Sequence, residues 1–301
     1  MENICVLMST YNGAKYLRTQ IDSILNQKNV NVQLIVRDDG SKDDTIDILK
    51  EYEAEGKLKF YTGKNLKSAN SFMDLLVNSP KADYYAFADQ DDYWIEDKLE
   101  KGIELIKNYD IPLIYYSNAE LVDEKLNSIN KVLYKNVPNI DLYTISCASN
   151  VIGCTMIFNS VLVEIIKKYE LPRILKMHDS YLAKVCLAIG GKIIYDKRTT
   201  IKYRQHGNNV LGIKRDLKSK LRESFHCIFV KDSIPITKQA QEILRIYGNI
   251  MPEDNKKWME KIAKYDTSFF SKISLACSMK TRYITKNMSI KIRLAILFGN
   301  R

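Results

Sequence analysis

Three polar clusters in the first hundred residues hold the side chains best suited to chemistry. Each directly follows a short apolar segment; they are Ser9-Thr10-Tyr11-Asn12, Asp38-Asp39-Gly40-Ser41 and Asp89-Gln90-Asp91-Asp92. Apolar runs of this length, bounded by turn residues, are typical of buried strands. If those strands are parallel, their carboxyl ends meet at one edge of a sheet, where open α/β sheets bind ligands. Asp-Gly-Ser is also an ordinary turn sequence, so the joint placement of the clusters is what indicates a site.

The third cluster has the composition of a metal site. In an extended segment, residues i and i+2 point the same way, so Asp89 and Asp91 are expected to face one ligand. Two carboxylates with phosphate oxygens and water suit Mg²⁺ or Mn²⁺. Asp92 is then expected to face the other side and to cap the following helix, with Trp94 beneath it. The alternative is an acidic turn that the dipole of the following helix favours.

Hydrophobic periodicity places these clusters in an alternating order of strands and helices. Strands are predicted at residues 4–8, 32–36, 58–61 and 84–88, and the segments between them carry apolar residues at helical spacing. This order predicts an α/β fold with a mainly parallel central sheet and helices on both faces. Further strands are predicted at 113–117, 155–158, 192–195 and 200–203, and helices at 161–169 and 180–189. Beyond about residue 212 the pattern indicates only basic amphipathic helices, so we expect a catalytic domain over 1–211 and a basic helical region over 212–301.

The net charge of +10 is unevenly distributed along the 301 residues. Residues 1–110 contain 14 Lys and Arg against 20 Asp and Glu, whereas residues 111–301 contain 32 against 16. A basic tail indicates an anionic partner, either a nucleic acid or a membrane surface, unless it is simply a solvated basic face. We expect neither a signal peptide nor a membrane-spanning helix. The six cysteines lack metal or disulfide spacing, which favours reduced thiols in a cytoplasm.

The ordered set of clusters resembles family 2 glycosyltransferases of the GT-A fold, and the similarity covers about residues 3–212. Three later segments extend it: Lys98-Leu99, Met177-His178-Asp179 and Tyr203-Arg204-Gln205-His206-Gly207-Asn208-Asn209. The last two resemble the rhamnosyltransferase-like branch. Members of the family are inverting enzymes that move a sugar from a nucleotide diphosphate onto a hydroxyl. The resemblance therefore implies a UDP- or dTDP-linked donor, dTDP-rhamnose or a UDP-hexose, and a glycan or lipid-linked acceptor in the synthesis of cell-surface polysaccharide.

The resemblance also implies roles for individual residues. Nucleotide or donor binding falls to Thr10, Tyr11, Asn12, Asp39, Asn70, Asp89, Arg204 and His206. Within that set, Tyr11 would stack on the base and Asp39 would accept a hydrogen bond from the imide of uracil or thymine. Asp91 would be the main metal ligand, assisted by Asp89. His178, Asn150 and Gly153 would lie on the acceptor side.

Asp179 occupies the position of the family's catalytic base. Inversion needs one base to remove the proton from the attacking hydroxyl, and a metal can stabilise the departing diphosphate, so a second acid is unnecessary. An N-cap of the following helix is the alternative role for His178-Asp179. Many relatives carry Glu-Asp at these positions, which leaves the role of His178 open.

Two other classes of function compete with glycosyl transfer. A nucleotidyl- or phosphotransferase could share an Asp-x-Asp metal site, but the chain lacks a glycine-rich phosphate loop and such a reaction leaves Asp179 without a role. A nucleic-acid-binding protein is disfavoured because no motif for it is present. Segments 217–229 and 290–298 combine apolar and basic residues, so the tail is expected to lie on an anionic membrane or to pack on the catalytic domain or a second subunit. We expect a cytoplasmic protein, peripheral on the inner face of the cell membrane.

Overall fold

The computed structural model describes residues 1–206, 225–226, 228–230, 232–281, 283 and 285–299. The strands are β1 Glu2–Thr10, β2 Val30–Asp38, β3 Lys59–Thr62, β4 Tyr84–Ala88, β5 Tyr93–Trp94, β6 Leu113–Val122, β7 Ser128–Val132, β8 Met156–Asn159 and β9 Lys192–Arg204. The helices are α1 Ala14–Leu25, α2 Thr45–Ala54, α3 Lys67–Asn78, α4 Lys98–Glu104, α5 Leu142–Cys147, α6 Ser160–Lys168, α7 His178–Ala188, α8 Ile236–Tyr247, α9 Glu253–Ala263, α10 Phe269–Ala276 and α11 Lys286–Leu297.

One mixed sheet runs through the molecule in the order β3-β2-β1-β4-β8-β6-β9-β5, with β7 paired to β6. The four strands that precede residue 90 pair in parallel, as the alternating pattern predicts. The second half is different, because β8 lies antiparallel between β4 and β6 while β6 and β9 pair in parallel. An α/β fold with a parallel first half is confirmed.

β1 shows why the short apolar runs form strands at the centre of the sheet. Its residues 4–8 are completely buried, and alternate side chains enter two different clusters. Cys5 and Leu7 belong to the larger cluster, which extends to the C-terminal helices, whereas Ile4, Val6 and Met8 belong to the other. A strand covered on both faces needs a continuous apolar run, since its side chains alternate between the two faces.

Several elements in the second half were not predicted. The two strands expected at 192–195 and 200–203 are one strand, β9, which passes an irregular register opposite Ser117 and Asn118. Its centre carries exposed polar residues, and Asp196 and Arg198 form an ion pair there, so the apolar pattern is interrupted although the backbone pairing continues. β5 and β7 are too short or too exposed to produce a hydrophobic signal, and α5 has fewer than two turns.

The C-terminal helices pack on the catalytic fold. Ile243 of α8, Trp258 of α9 and Ile296 of α11 share one buried cluster with Leu182 of α7. The expected boundary near residue 211 falls within 207–224, outside the described residues. In the described part of the chain no helix is both long and apolar enough to cross a bilayer. Of the described cysteines, Cys5, Cys154, Cys186 and Cys277 are free thiols.

Candidate active site

The carboxyl ends of β1, β2 and β4 bring the first and second polar clusters together. Thr10 lies opposite Asp38 in the β1–β2 register, and its hydroxyl donates to Asp38 Oδ2 over 2.9 Å. Asp38 Oδ1 accepts the backbone N–H groups of Gly40 and Ser41 at 3.0 and 2.8 Å. Gly40 adopts φ of +83°, which a side chain would disfavour. Asp38 therefore holds the loop that presents Asp39.

A cavity of about 320 Å³ lies at this edge and is called the strand-edge cavity below. It is lined by Ser9, Thr10, Tyr11, Asp39, Asn65, Lys67, Ser68, Phe72, Asp89, Gln90, Asp91 and Tyr203. Tyr11 is 47% exposed, and the side-chain amide of Gln90 both accepts from and donates to its backbone, at 2.9 and 3.2 Å. Asp39 is buried, pairs with Arg37, and accepts from the Leu66 N–H at 3.0 Å.

Four residues expected at the donor, Asn12, Asn70, Arg204 and His206, do not line this cavity. Asn12 bridges two loops, since its N–H donates to the Ser41 hydroxyl and its side-chain oxygen accepts from the Lys42 N–H, both at 2.8 Å. Asn70 is exposed on α3 and its amide donates to Leu66 O at 3.2 Å. The side chain of Arg204 is buried: Nε donates to Asp91 O at 2.7 Å and its guanidinium lies 4.4 Å from the Tyr16 ring centre.

The third cluster is a turn rather than an extended segment. Asp89 and Asp91 both line the strand-edge cavity. The chain turns between them, so the extended backbone assumed by the i, i+2 argument is wrong. Asp91 Oδ2 lies 2.7 Å from Nε2 of His206, which stacks on Tyr16. Asp89 keeps a small exposed surface, yet burial of its carboxyl and the charges of Asp91 and Asp179 raise its pKa to about 7. Asp89 and Asp91 line the same cavity and the Asp91 carboxylate contacts the His206 imidazole, so carboxylate and imidazole groups of the kind that bind a divalent cation are present at this edge.

Asp92 is not the cap of the following helix, because α4 begins at Lys98 and its N-cap residue is Asp97. Asp92 is instead buried and accepts the Arg204 N–H at 3.2 Å. Ligand atoms of Asp89, Asp92 and Cys154 lie within 4.8 Å of one another. Burial raises the pKa of Asp92 and of Cys154 well above their ordinary values, which leaves the Cys154 thiol protonated and unsuited to nucleophilic attack.

Lys98 lies fully buried in the same region, with its ammonium 4.0 Å from the ring centre of Trp94. Burial lowers the pKa of Lys98 to about 7, although Cys154 and Asp92 oppose that effect. Trp94 is completely buried, as the prediction that it packs beneath Asp92 requires. The acidic turn therefore has the buried Lys98 and Trp94 on one side, and on its other side Asp89 and Asp91 line the cavity.

A second cavity of about 380 Å³, called the helix-walled cavity below, adjoins the first. Ser68, Asp89 and Tyr203 line both cavities. The remaining walls come from residues 147–149 and 151–153, from residues 176–180 and Lys184 in and before α7, and from Asp232, Ile236 and Gln239 beside and on α8. Asp89 thus lies where the two cavities meet.

Asp179 and Gly153 face each other in the wall of the second cavity. The Gly153 N–H donates to Asp179 Oδ2 at 3.0 Å, and the Ser180 N–H donates to Oδ1 at 2.6 Å. α7 begins at His178 and Met177 is its N-cap, so the alternative that Asp179 is the cap of this helix is wrong. Asn150 does not line the cavity; its backbone oxygen accepts from the Tyr134 hydroxyl.

His178 is 4% exposed and lies in the same wall. Its ring stacks on Phe72 at 4.0 Å between centroids and meets Phe87 edge-on at 4.9 Å. Burial lowers the pKa of His178, and the Asp179 carboxylate opposes only part of that effect. The imidazole is therefore neutral near neutral pH.

Sequence reasoning missed several residues of both cavities. Gln90 and Lys67 line the first; Lys67 adopts φ of +64°, which a helical-periodicity argument cannot detect. Lys176, Lys184 and Gln239 line the second, where the ammonium of Lys184 donates to Gln239 Oε1 at 2.6 Å. The position of Asn65-Leu66-Lys67 just after β3, at the same sheet edge, was the one available signal for Lys67.

Comparisons with known proteins show the family and the fold. Residues 5–169 match the model of glycosyl transferase family 2. The dTDP-rhamnosyl transferase RfbG of Shigella flexneri is 28% identical over 232 residues, which are 71% of this chain and 77% of RfbG.

Two solved structures share the fold. TarS of S. aureus, in complex with UDP-GlcNAc, has a TM-score of 0.58 at 16% identity, covering 92% of this chain and 77% of TarS. The mannosyltransferase PcManGT of Pyrobaculum calidifontis, in complex with GDP-Man and Mn²⁺, has a TM-score of 0.53 at 14% identity, covering 98% and 74%. With a family model spanning more than half of its length, on a GT-A-like fold whose polar strand ends form one cavity, this chain belongs to glycosyl transferase family 2.

Proposed function

We propose that this glycosyltransferase moves a sugar, with inversion, from a nucleotide diphosphate in the strand-edge cavity to an acceptor hydroxyl in the helix-walled cavity. The observation that carries the proposal is that the two cavities meet at Asp89. Asp39 and Asp91 line one of them, and Asp179 lines the other. An inverting displacement needs the donor and the base on opposite sides of the reacting carbon. The donor is dTDP-rhamnose or a UDP-hexose, and the likeness to RfbG supports the former.

The strand-edge cavity offers the contacts that such a donor needs. The half-exposed ring of Tyr11 stacks on the base, and Asp39 accepts the hydrogen bond of its imide N–H. Asp89 lies beside the ribose. Lys67 lines the same cavity and complements the diphosphate. Thr10 and Asn12 act indirectly, since their side chains hold the loops that present Tyr11 and Asp39.

Asp91, Asp89 and His206 would hold Mg²⁺ or Mn²⁺. Carboxylate oxygens suit either ion, and an imidazole suits Mn²⁺ better than Mg²⁺. Bound there, a divalent ion neutralises the charge that develops on the departing diphosphate. Arg204 is a positioning residue in this proposal, because its guanidinium holds the backbone carbonyl of Asp91. Removal of Arg204 would disturb the turn rather than a donor contact.

Asp179 acts as the general base. Its carboxylate takes the proton of the acceptor hydroxyl while that oxygen forms a bond to the anomeric carbon, and the bond from that carbon to the diphosphate oxygen breaks. The Gly153 and Ser180 N–H groups hold both carboxylate oxygens, so the base is fixed before the acceptor arrives. No covalent enzyme intermediate is required.

A donor screen tests the proposed function. The purified chain is incubated with Mn²⁺, a panel of UDP- and dTDP-sugars, and p-nitrophenyl glycosides of glucose, galactose, rhamnose and N-acetylglucosamine. We expect one donor to release its nucleoside diphosphate only when an acceptor is present, and NMR of the product to show the inverted anomeric configuration. Retention of configuration, or no transfer from any donor, would contradict the proposal.

The C-terminal region combines exposed aromatic side chains with basic residues, and we place it against an anionic membrane on the inner face. Phe269 and Phe270 are 68% and 82% exposed at the start of α10. From residue 267 to 301 the sequence has seven basic residues and no acidic one. Of the apolar residues expected to face the membrane in 290–298, Ile292 is buried, whereas Ile290 and Phe298 are exposed. Segment 217–224 lies outside the described residues.

Vesicle sedimentation tests this attachment. Each Lys or Arg near an anionic surface contributes about 1 kcal/mol, so binding should require phosphatidylglycerol and fall at high salt. The double variant Phe269→Ser/Phe270→Ser should bind phosphatidylglycerol vesicles at least several-fold less tightly. Tyr109→Ser, which removes an aromatic ring 37% exposed in the first half, is the matched control. Equal binding by all three proteins would remove the membrane assignment.

A further inference from the structure

His178 is a buried polar residue with an unusual environment. Its side chain is 4% exposed, and neither ring nitrogen has a hydrogen-bond partner among the residues that the structure describes. Buried polar groups in proteins nearly always have such partners, because an unsatisfied donor or acceptor is costly. The ring lies in the wall of the helix-walled cavity, next to Asp179. Because the ring nitrogens are themselves buried, an acceptor supplies the missing partners only where its binding opens the wall around the ring.

The surroundings of His178 hold the ring in place without hydrogen bonds. Phe72 stacks against one face at an interplanar angle of 23°, and Phe87 meets the ring at 88°. The missing side chain of Gly153 provides the remaining space, since a Cβ at position 153 would lie 2.6 Å from Nε2. A phenylalanine ring would satisfy this aromatic packing equally well. Packing alone therefore does not account for an imidazole at this position.

We propose, on the basis of the glycosyl transfer above, that His178 binds two hydroxyl groups of the acceptor sugar beside the hydroxyl that Asp179 deprotonates. A neutral imidazole has one N–H donor and one nitrogen acceptor, and a hydroxyl group can both donate and accept. Asp179 and Asp89 line the same cavity, so an anionic group beside His178 would face two carboxylates. The ammonium groups of Lys176 and Lys184 also line this cavity, but they already bind Asp232 and Gln239. The ligand class is therefore a neutral polyhydroxylated sugar ring, and His178 is a residue that determines acceptor specificity.

Kinetics of matched variants test this assignment. His178→Phe keeps the aromatic packing and removes both hydrogen bonds, so we expect the acceptor KM to rise about 10- to 100-fold with the donor KM unchanged. His178→Gln keeps a hydrogen-bond donor and an acceptor, so its acceptor KM should lie between those of the wild type and of His178→Phe. Gly153→Ala keeps the N–H that binds Asp179 but crowds Nε2, so it should also raise the acceptor KM. His226→Gln, an exposed histidine, is the control and should match the wild type.

The acceptor probe is whichever p-nitrophenyl glycoside the wild type uses best, together with its deoxy analogues. Loss of one hydroxyl beside the nucleophile should weaken binding to the wild type and leave binding to His178→Phe unchanged. If His178→Phe keeps the wild-type acceptor KM, or if the donor and acceptor KM rise equally, the assignment is overturned.

A binding measurement separates this inference from the proposed function. Protein labelled with ¹⁵N-histidine is titrated with methyl glycosides of the same four sugars in the presence of UDP and Mn²⁺. We expect the ¹⁵N chemical shifts of the His178 ring nitrogens to change when at least one glycoside is added. Transfer by the wild type without any such shift overturns the role of His178, whereas absence of transfer from every donor overturns the proposed function itself.

Discussion

The two cavities of this enzyme are built in opposite ways. At the strand-edge cavity, neighbouring side chains already bind some of the lining residues: the Thr10 hydroxyl donates to Asp38, and Asp39 pairs with Arg37. In the helix-walled cavity, backbone N–H groups bind both carboxylate oxygens of Asp179, yet neither ring nitrogen of His178 has a hydrogen-bond partner among the described residues. We therefore expect the first cavity to change little when its ligand binds and the second to be completed by its ligand.

The difference follows from the elements that form the walls. Parallel strands in register end side by side, so short-range hydrogen bonds between their loops can fix the strand-edge cavity. The walls of the second cavity come from segments far apart in sequence, and α8 contributes Gln239 from the C-terminal region.

The largest expected effect is in the strand-edge cavity. Asp91→Ala removes the carboxylate that lies 2.7 Å from His206, so transfer that depends on a divalent metal should be abolished. The variant should stay folded, because Asp91 lies at a strand end outside the core. Steady-state rates over a Mn²⁺ titration measure the loss of transfer, and a melting curve shows whether the variant is folded. Asp47→Ala, with a side chain 73% exposed on α2, is the matched control; normal turnover by Asp91→Ala would contradict the metal assignment.

The second effect belongs to the helix-walled cavity. Asp179→Asn retains shape but cannot accept the proton, so the rate at saturation should fall by about 10²- to 10⁴-fold. Donor affinity, measured calorimetrically with UDP or dTDP and Mn²⁺, should not change, because Asp179 lines only the second cavity. If Asp179→Asn instead lost donor affinity and kept the wild-type rate at saturation, Asp179 would be a binding residue. The assignment of the donor and the acceptor to separate cavities would then be wrong.

A smaller effect tests the contribution of the C-terminal region to acceptor binding. Gln239→Leu removes the side-chain oxygen that accepts from the Lys184 ammonium at 2.6 Å. Loss of a hydrogen bond to a charged group costs about 1.5–3 kcal/mol where it is fully felt, so we expect an acceptor KM several-fold to 100-fold higher. The donor KM should be unchanged. An equal change in both constants would show that α8 supports the whole catalytic fold rather than the acceptor cavity.

The smallest effect concerns the buried support beneath the acidic turn. Burial lowers the pKa of Lys98 from its ordinary value of 10.5 to about 7, so between these values the unfolded chain binds more protons than the folded protein. This group makes the free energy of unfolding rise with pH, by at most about 1.4 kcal/mol per pH unit. Lys98→Met removes that contribution.

Lys98→Met should therefore be more stable than the wild type at pH 7, with an advantage that shrinks as the pH rises toward 9.5. Urea denaturation at several pH values measures the difference, and Lys50→Met, which removes an ammonium 63% exposed, should show no such trend. An advantage independent of pH would mean that Lys98 is charged in the folded protein across this range.

Sequence periodicity predicted the first half of the fold and, in the second half, β6, β8, α6 and α7, but not β5, β7 or α5. The runs 4–8 and 84–88 are apolar throughout, as buried parallel strands must be, and the run 32–36 is apolar except for Gln33; each run lies within the observed strand. The hydrophobic pattern predicts two strands in place of β9 because the middle of β9 is exposed and charged. Backbone pairing continues through this middle segment, since it does not depend on an apolar pattern. β5, a two-residue bridge, depends wholly on its partner β9.

For the site, the sequence by itself determined which polar clusters meet, because strands that end at one sheet edge bring their next residues together. Only the tertiary structure decided how those residues are used. Asn12, Asn70 and Arg204 are occupied by local hydrogen bonds, and the turn at residues 90–91 directs Asp91 toward His206. Neither ring nitrogen of His178 has a hydrogen-bond partner in the described part of the chain, and Gln239, about sixty residues farther along, lines the same cavity. Residue types and spacing carry local geometry, whereas burial and partners depend on contacts between distant segments, which a sequence pattern does not contain.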